Sequence, residues 1–105
     1  MSYQQFAFTL PKGLVTATGE VIREGVMRLA TGEDELFVQR HPRVLSNPSY
    51  GVLVMLSRTI VRFGEGPGVS PEMLEGLFVV DSAYLQEFFN EINRMGGELS
   101  LSGEG

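Results

Sequence analysis

The chain contains no cysteine and no tryptophan, and it has one histidine and a single lysine, Lys12, among eight basic residues. Without cysteine there can be no disulfide, no thiolate metal centre and no cysteine nucleophile. Acid/base catalysis by a lone histidine, His41, needs a positioned partner, and none is evident in its neighbourhood; a role at the surface or at a helix terminus is expected instead. Clustered cations are also lacking. Eight basic against 13 acidic residues give a net charge of −5, which speaks against nucleic acid as a general partner, because phosphate binding relies on grouped Lys and Arg. The longest apolar run, residues 51–56, falls far short of the roughly 20 residues that cross a bilayer, so no membrane partner is expected. The N-terminal MSYQQFAFTL has no basic segment leading into a long apolar stretch, which points to a cytoplasmic protein.

What is present fits one globular domain: 105 residues, 43% hydrophobic and 20% charged, enough for one modest core. The greasiest stretch is residues 47–64, NPSYGVLVMLSRTIVRFG. Asn47 suits a helix N-cap, Pro48 the first helical position and Gly64 a left-handed stop. Val52, Leu53, Met55, Leu56, Thr59, Ile60 and Phe63 keep helical spacing, while Val54 and Val61 add apolar surface on the remaining side. The spacing predicts a central helix over 47–64, with Val54 and Val61 lying under another helix of this chain or under a second copy.

Before it, Phe6, Phe8 and Leu10 alternate with polar or small residues as in a half-buried strand. Pro11-Lys12-Gly13 breaks the alternation, residues 16–19 read as a turn, and a second strand follows from Glu20 to about Leu29, with Gly25 marking a bulge or bend. Thr31 is placed to cap a short helix whose first turn holds Glu33, Asp34 and Glu35, where the helix dipole favours acids. With no histidine cluster and no calcium-loop pattern, these carboxylates are expected to be structural, not metal ligands. Pro42 ends that helix. Residues 64–68 are a glycine-rich connector without the Lys-Ser/Thr pair of a phosphate loop. Ser70-Pro71 opens a helix of about two turns that buries Met73, Leu74, Leu77 and Phe78. Asp81 or Ser82 caps the last helix, whose stripe is Tyr84, Leu85, Phe88, Phe89, Ile92 and Met95, and Gly96-Gly97 ends it. The predicted architecture is α+β: an N-terminal antiparallel β-hairpin followed by three to four α-helices in a single domain over residues 1–95, with 96–105 a flexible tail.

No constellation of residues points to an enzyme, a cofactor or a metal. The carboxylate pair Glu87 and Glu91 lies on a polar helix face, where solvated charges are the rule. A binding module is the better reading. Seven phenylalanines and five methionines have to be accommodated, and a small domain cannot cover all of that surface; methionine-rich surfaces also repack readily around helical partners. The residues expected to meet a partner are Tyr50, Val54, Arg58, Val61, Arg62, Phe88 and Phe89, and a second copy of the chain would be one such partner.

Three segments in order carry a family resemblance. They are Leu10-Pro11-x-Gly13 with residues 25–31 and Asp34-Glu35; Pro42-Arg43, Asn47-Pro48-x-Tyr50 and Leu56-Ser57-Arg58; and residues 75–78 leading into Asp81, Tyr84, Leu85 and Gln86. Together, over about residues 8–95, they resemble the small tail assembly proteins of contractile phages, prophages and related injection systems. The resemblance implies a non-enzymatic assembly chaperone that covers the tape-measure protein, or an early tail or baseplate protein, while the tail tube grows. The family also resembles small baseplate proteins, and the alternative it implies is a structural component retained in the contractile tail. The chain departs from some of these chaperones in having no extended second domain for recruiting the tube.

Overall fold

The strand at the N-terminus persists further than its breakers suggest. The computed structural model describes residues 4–104, with side chains described through Arg94. Strand β1 spans Gln5–Val15 and pairs antiparallel with β2, Val21–Arg28. Pro11-Lys12-Gly13 does not end β1 but bulges it: pairing moves from Thr9 opposite Glu24 to Leu14 opposite Ile22, five steps on one strand against two on the other. Proline is tolerated there because no ladder hydrogen bond is asked of it. Gly13 sits at φ 103°, and a Cβ on it would fall 2.7 Å from side-chain carbons of Val21 and Arg23. The turn forms as expected, with Gly19 donating to the Thr16 carbonyl at 3.0 Å.

The central stretch divides in two, which corrects the expectation of one helix over 47–64. Asn47 makes no side-chain cap and precedes a single 3-10 turn, Pro48–Tyr50. The helix proper, numbered α3 below, covers Gly51–Thr59, and the chain passes directly into a third strand, β3, Ile60–Phe63. Two causes act together. The Thr59 hydroxyl bonds back to the Met55 and Leu56 carbonyls at 3.1 and 3.3 Å, and the open edge of β2 offers partners, pairing Gly25 with Phe63, Val26 with Arg62 and Met27 with Ile60. The β-branched pair Ile60-Val61 is suited to a strand. Gly64 does adopt a left-handed φ of 62°, but it closes a strand, not a helix.

The sheet therefore has three antiparallel strands in the order β1-β2-β3. Gly25, in its middle strand, is a point of close approach: a Cβ there would lie 2.5 Å from Phe8 Cζ and 2.6 Å from the Arg62 carbonyl oxygen.

The remaining elements are helical. Helix α1, Gly32–Arg40, starts with the Thr31 cap, completed as a capping box by Asp34. His41 closes α1 and opens α2, Pro42–Ser46, accepting the Arg43 N–H at Nδ1, so Pro42 begins a helix as well as ending one. Helix α4, Pro71–Leu74, is a single turn capped by Ser70 at 3.1 Å; it buries Leu74 and half-buries Leu77, while Met73 and Phe78 stay exposed. Helix α5 spans Val79–Glu104 and continues through Gly96-Gly97, where a stop is expected from composition. How the side chains of that tail behave lies outside the described residues.

Asp81 is not the cap of α5. Phe78 provides the carbonyl that opens the helix, and Asp81, fully buried, turns its carboxylate to the β1 bulge, accepting the Lys12 and Gly13 N–H groups at 2.8 and 2.9 Å. Tyr84, one helical turn on, accepts the Thr9 N–H at 3.3 Å. Helix α5 is thereby fastened along β1, and Leu85 and Ile92 join Phe8, Leu10, Met27, Leu56, Ile60 and Phe63 in one core. The domain is α+β, a three-stranded antiparallel sheet with five helices among the described residues.

Candidate partner-binding surface

A buried carboxylate organises one side of the molecule. Asp34 is 1% exposed. It accepts two hydrogen bonds from Arg28 on β2, at 2.8 and 2.9 Å, one from Arg58 Nε on α3 at 3.0 Å, and one from the Thr31 N–H at 2.8 Å. The Arg28 guanidinium in particular holds its carboxyl well below the usual carboxylate range, against the opposing effect of burial. Of the three acids in the first turn of α1, Asp34 thus has a structural partner set, while Glu33 and Glu35 face solvent.

From Arg58 an aromatic row runs outward. The Arg58 guanidinium lies 4.2 Å above the Phe37 ring, Phe37 stands 6.2 Å from His41, His41 6.3 Å from Tyr50, and Arg43 covers the Tyr50 ring at 4.1 Å. The Tyr50 hydroxyl donates to Glu75 at 2.7 Å, and burial followed by this carboxylate neighbour pushes its pKa up to about 12. A groove of about 440 Å³ opens beside this row, floored by Leu36, Phe37 and Pro42 and walled by Arg40 and Arg58.

A second groove of about 350 Å³ lies between α3 and α5. Val52 and Met55 come from α3, Phe89 from α5, and the carboxamides of Gln86 and Asn90, one helical turn apart, form the rim. Gln86 also lines a neighbouring depression with Leu53, Leu77 and Val79, so apolar surface continues along α5 to a corner where Val79 is 85% exposed.

The residues expected to meet a partner do not form one surface. Val54 is completely buried and Tyr50 nearly so; both serve the interior, so Val54 is covered by this chain itself. Phe88 points inward, edge-to-face with Phe8 at 5.8 Å and stacked on Tyr84 at 5.9 Å. Arg58 and Arg62 do not share a helix, because α3 ends between them: Arg62 is exposed on β3 and donates to the Gly64 carbonyl, with Val61 half-buried beside it. Two of the seven line grooves, Phe89 between α3 and α5 and Arg58 beside α1. Sequence reasoning missed Gln86 and Asn90, whose only mark is their spacing beside Phe89, and it missed Asp34 as a hub, although the Thr31-to-Asp34 spacing is a capping-box signature.

No family model, curated protein or solved structure matches this chain. Its chemistry must be read from the surface itself. The grooves offer apolar floors with amide or guanidinium groups beside them. Among the described residues no helix is long and apolar enough to cross a membrane.

Proposed function

We propose that the protein is a non-enzymatic tail assembly chaperone, acting in the cytoplasm of a phage-producing or injection-system-producing bacterium and binding the tape-measure protein or an early tail or baseplate protein. The groove between α3 and α5 is the observation that carries this reading: Val52, Met55 and Phe89 give an adaptable apolar floor, and Gln86 and Asn90 can bond the polar groups of a docked segment. A long apolar helix awaiting enclosure in a tube is the kind of ligand such a groove shields.

Co-expression with the tape-measure protein tests it. The two should co-purify, and Val52→Asp, at a site 40% exposed, should lower the recovered complex by about tenfold, the cost of one apolar anchor lost from an interface, while circular dichroism stays unchanged. Failure of the wild-type proteins to co-purify at both low and moderate salt would sink the reading.

A further inference from the structure

We infer that Asn93 is the positioning residue of the groove between α3 and α5: its carboxamide ties α5 to the chain leaving β2 and so holds the two groove walls apart. The inference deepens the assembly reading by naming what keeps its binding site open, and rests on that reading for the consequence in partner binding.

The need for Asn93 begins at Ala30. Strand β2 ends at Arg28 and the cap of α1 is Thr31, so the half-buried Ala30 N–H has left the ladder before the helix begins. A backbone donor drawn out of water requires an acceptor. Asn93 Oδ1 supplies it at 3.0 Å, from 63 positions further along the chain. The other end of the same carboxamide donates to the Phe89 carbonyl at 2.8 Å, one turn back along α5. A carboxamide carries both an acceptor and a donor, and here each meets its complement. The bond to Phe89 orients the side chain, and the bond to Ala30 carries the tether.

Position gives the tether its effect. Helix α5 is fastened to β1 near its start by Asp81 and Tyr84. Asn93 follows Asp81 by twelve residues, a span of about 18 Å along a helix, and the groove residues Gln86, Phe89 and Asn90 lie between the two fastenings. Asp81, Tyr84 and Asn93 all accept from the backbone of β1 or of the chain leaving β2, so α5 is drawn toward the sheet while a groove of about 350 Å³ stays open beside α3. Val52, Met55 and Phe89 line that groove, and apolar side chains in water gain by closing on one another. Without the tether, that gain draws α5 toward α3. A groove held open in advance receives a segment without first being parted.

Three variants of the full chain test this by NMR and by recovery with the co-expressed tape-measure protein. Asn93→Leu matches the side chain in size and removes the tether. Asn93→Asp keeps an oxygen for the Ala30 N–H, and Gly19→Ala lowers stability at the hairpin turn, outside the residues that line the groove. Asn93→Leu should speed exchange of the Ala30 amide about tenfold, strengthen the nuclear Overhauser contact between the Met55 methyl group and the Phe89 ring, and lower recovery of the complex about fivefold. Asn93→Asp should keep all three near the wild type. Wild-type Met55–Phe89 contacts in Asn93→Leu, or an Asn93→Asp protein indistinguishable from Asn93→Leu, would overturn the inference. So would recovery that falls as far for Gly19→Ala as for Asn93→Leu, since stability alone would then govern binding. If the wild-type proteins do not co-purify, the assembly reading fails, and the Met55–Phe89 contact still decides the role of Asn93.

Discussion

At the scale of single residues, Asp34 matters most, because its buried carboxylate joins α1 to Arg28 of the sheet and to Arg58 of α3. Breaking a buried ion pair from one side leaves the opposite charge uncompensated and costs about 3–5 kcal/mol; here Arg28 and Arg58 keep some contact with water, so Asp34→Asn should cost about 2–4 kcal/mol in urea unfolding at neutral pH. The pH dependence has a definite sign. Folding holds the Asp34 pKa below its ordinary 3.8, so its contribution is complete above about pH 4 and is lost as pH falls through that ordinary value toward the folded one. Asp34→Asn should therefore flatten the acid limb of the stability curve as well as lowering its neutral plateau. An unchanged acid limb would mean that other carboxylates govern acid unfolding.

At the scale of elements, the junction between α3 and β3 explains both what the sequence conveys and what it conceals. Ile60 and Phe63 continue the helical spacing of Leu53 and Leu56, so local periodicity favours one long helix; Ile60-Val61 equally suits a strand, and the decision falls to the open edge of β2, some 35 residues away in the chain, a non-local partner that no window of sequence contains. The hairpin, its turn, the Thr31 and Ser70 caps and the stripe of α5 rest on local signals and were legible for that reason. Gly25 makes the β2–β3 pairing testable. Gly25→Ala would push a methyl group against Phe8 and the Arg62 carbonyl, and since the latter is backbone, relief must come from parting β3 from β2. The expected loss is about 2–3 kcal/mol. Gly19→Ala meets nothing within 4 Å but holds φ at 89°, so it should cost only about 1 kcal/mol. Equal melting temperatures for the two variants would contradict the observed sheet.

At the scale of the whole molecule, the candidate surface was less legible than the fold, because both grooves are made by elements meeting in space. Phe89 and Arg58 could be singled out by type, but Val54 is as apolar as any exposed residue of α3 and is buried, and Phe88 is turned inward by the packing of α5 on β1. What the assembled surface presents is modest: an apolar groove of about 350 Å³ and an open apolar corner at Val79. A small, mostly apolar site with few polar contacts favours an exchangeable complex over a permanent one, since stable retention ordinarily buries on the order of 1,200 Å² or more. The chaperone reading therefore carries a consequence for the finished particle. Mass spectrometry should detect the protein bound to its partner in lysates of assembling cells and find it absent from purified particles. Recovery from particles in fixed stoichiometry would instead make it a structural subunit, with the grooves as permanent contacts. Val79→Asp sharpens the choice, because that side chain is 85% exposed and its replacement leaves the core intact: it should lower partner recovery from lysates if the apolar track along α5 is engaged during assembly, without altering the melting temperature of the isolated domain.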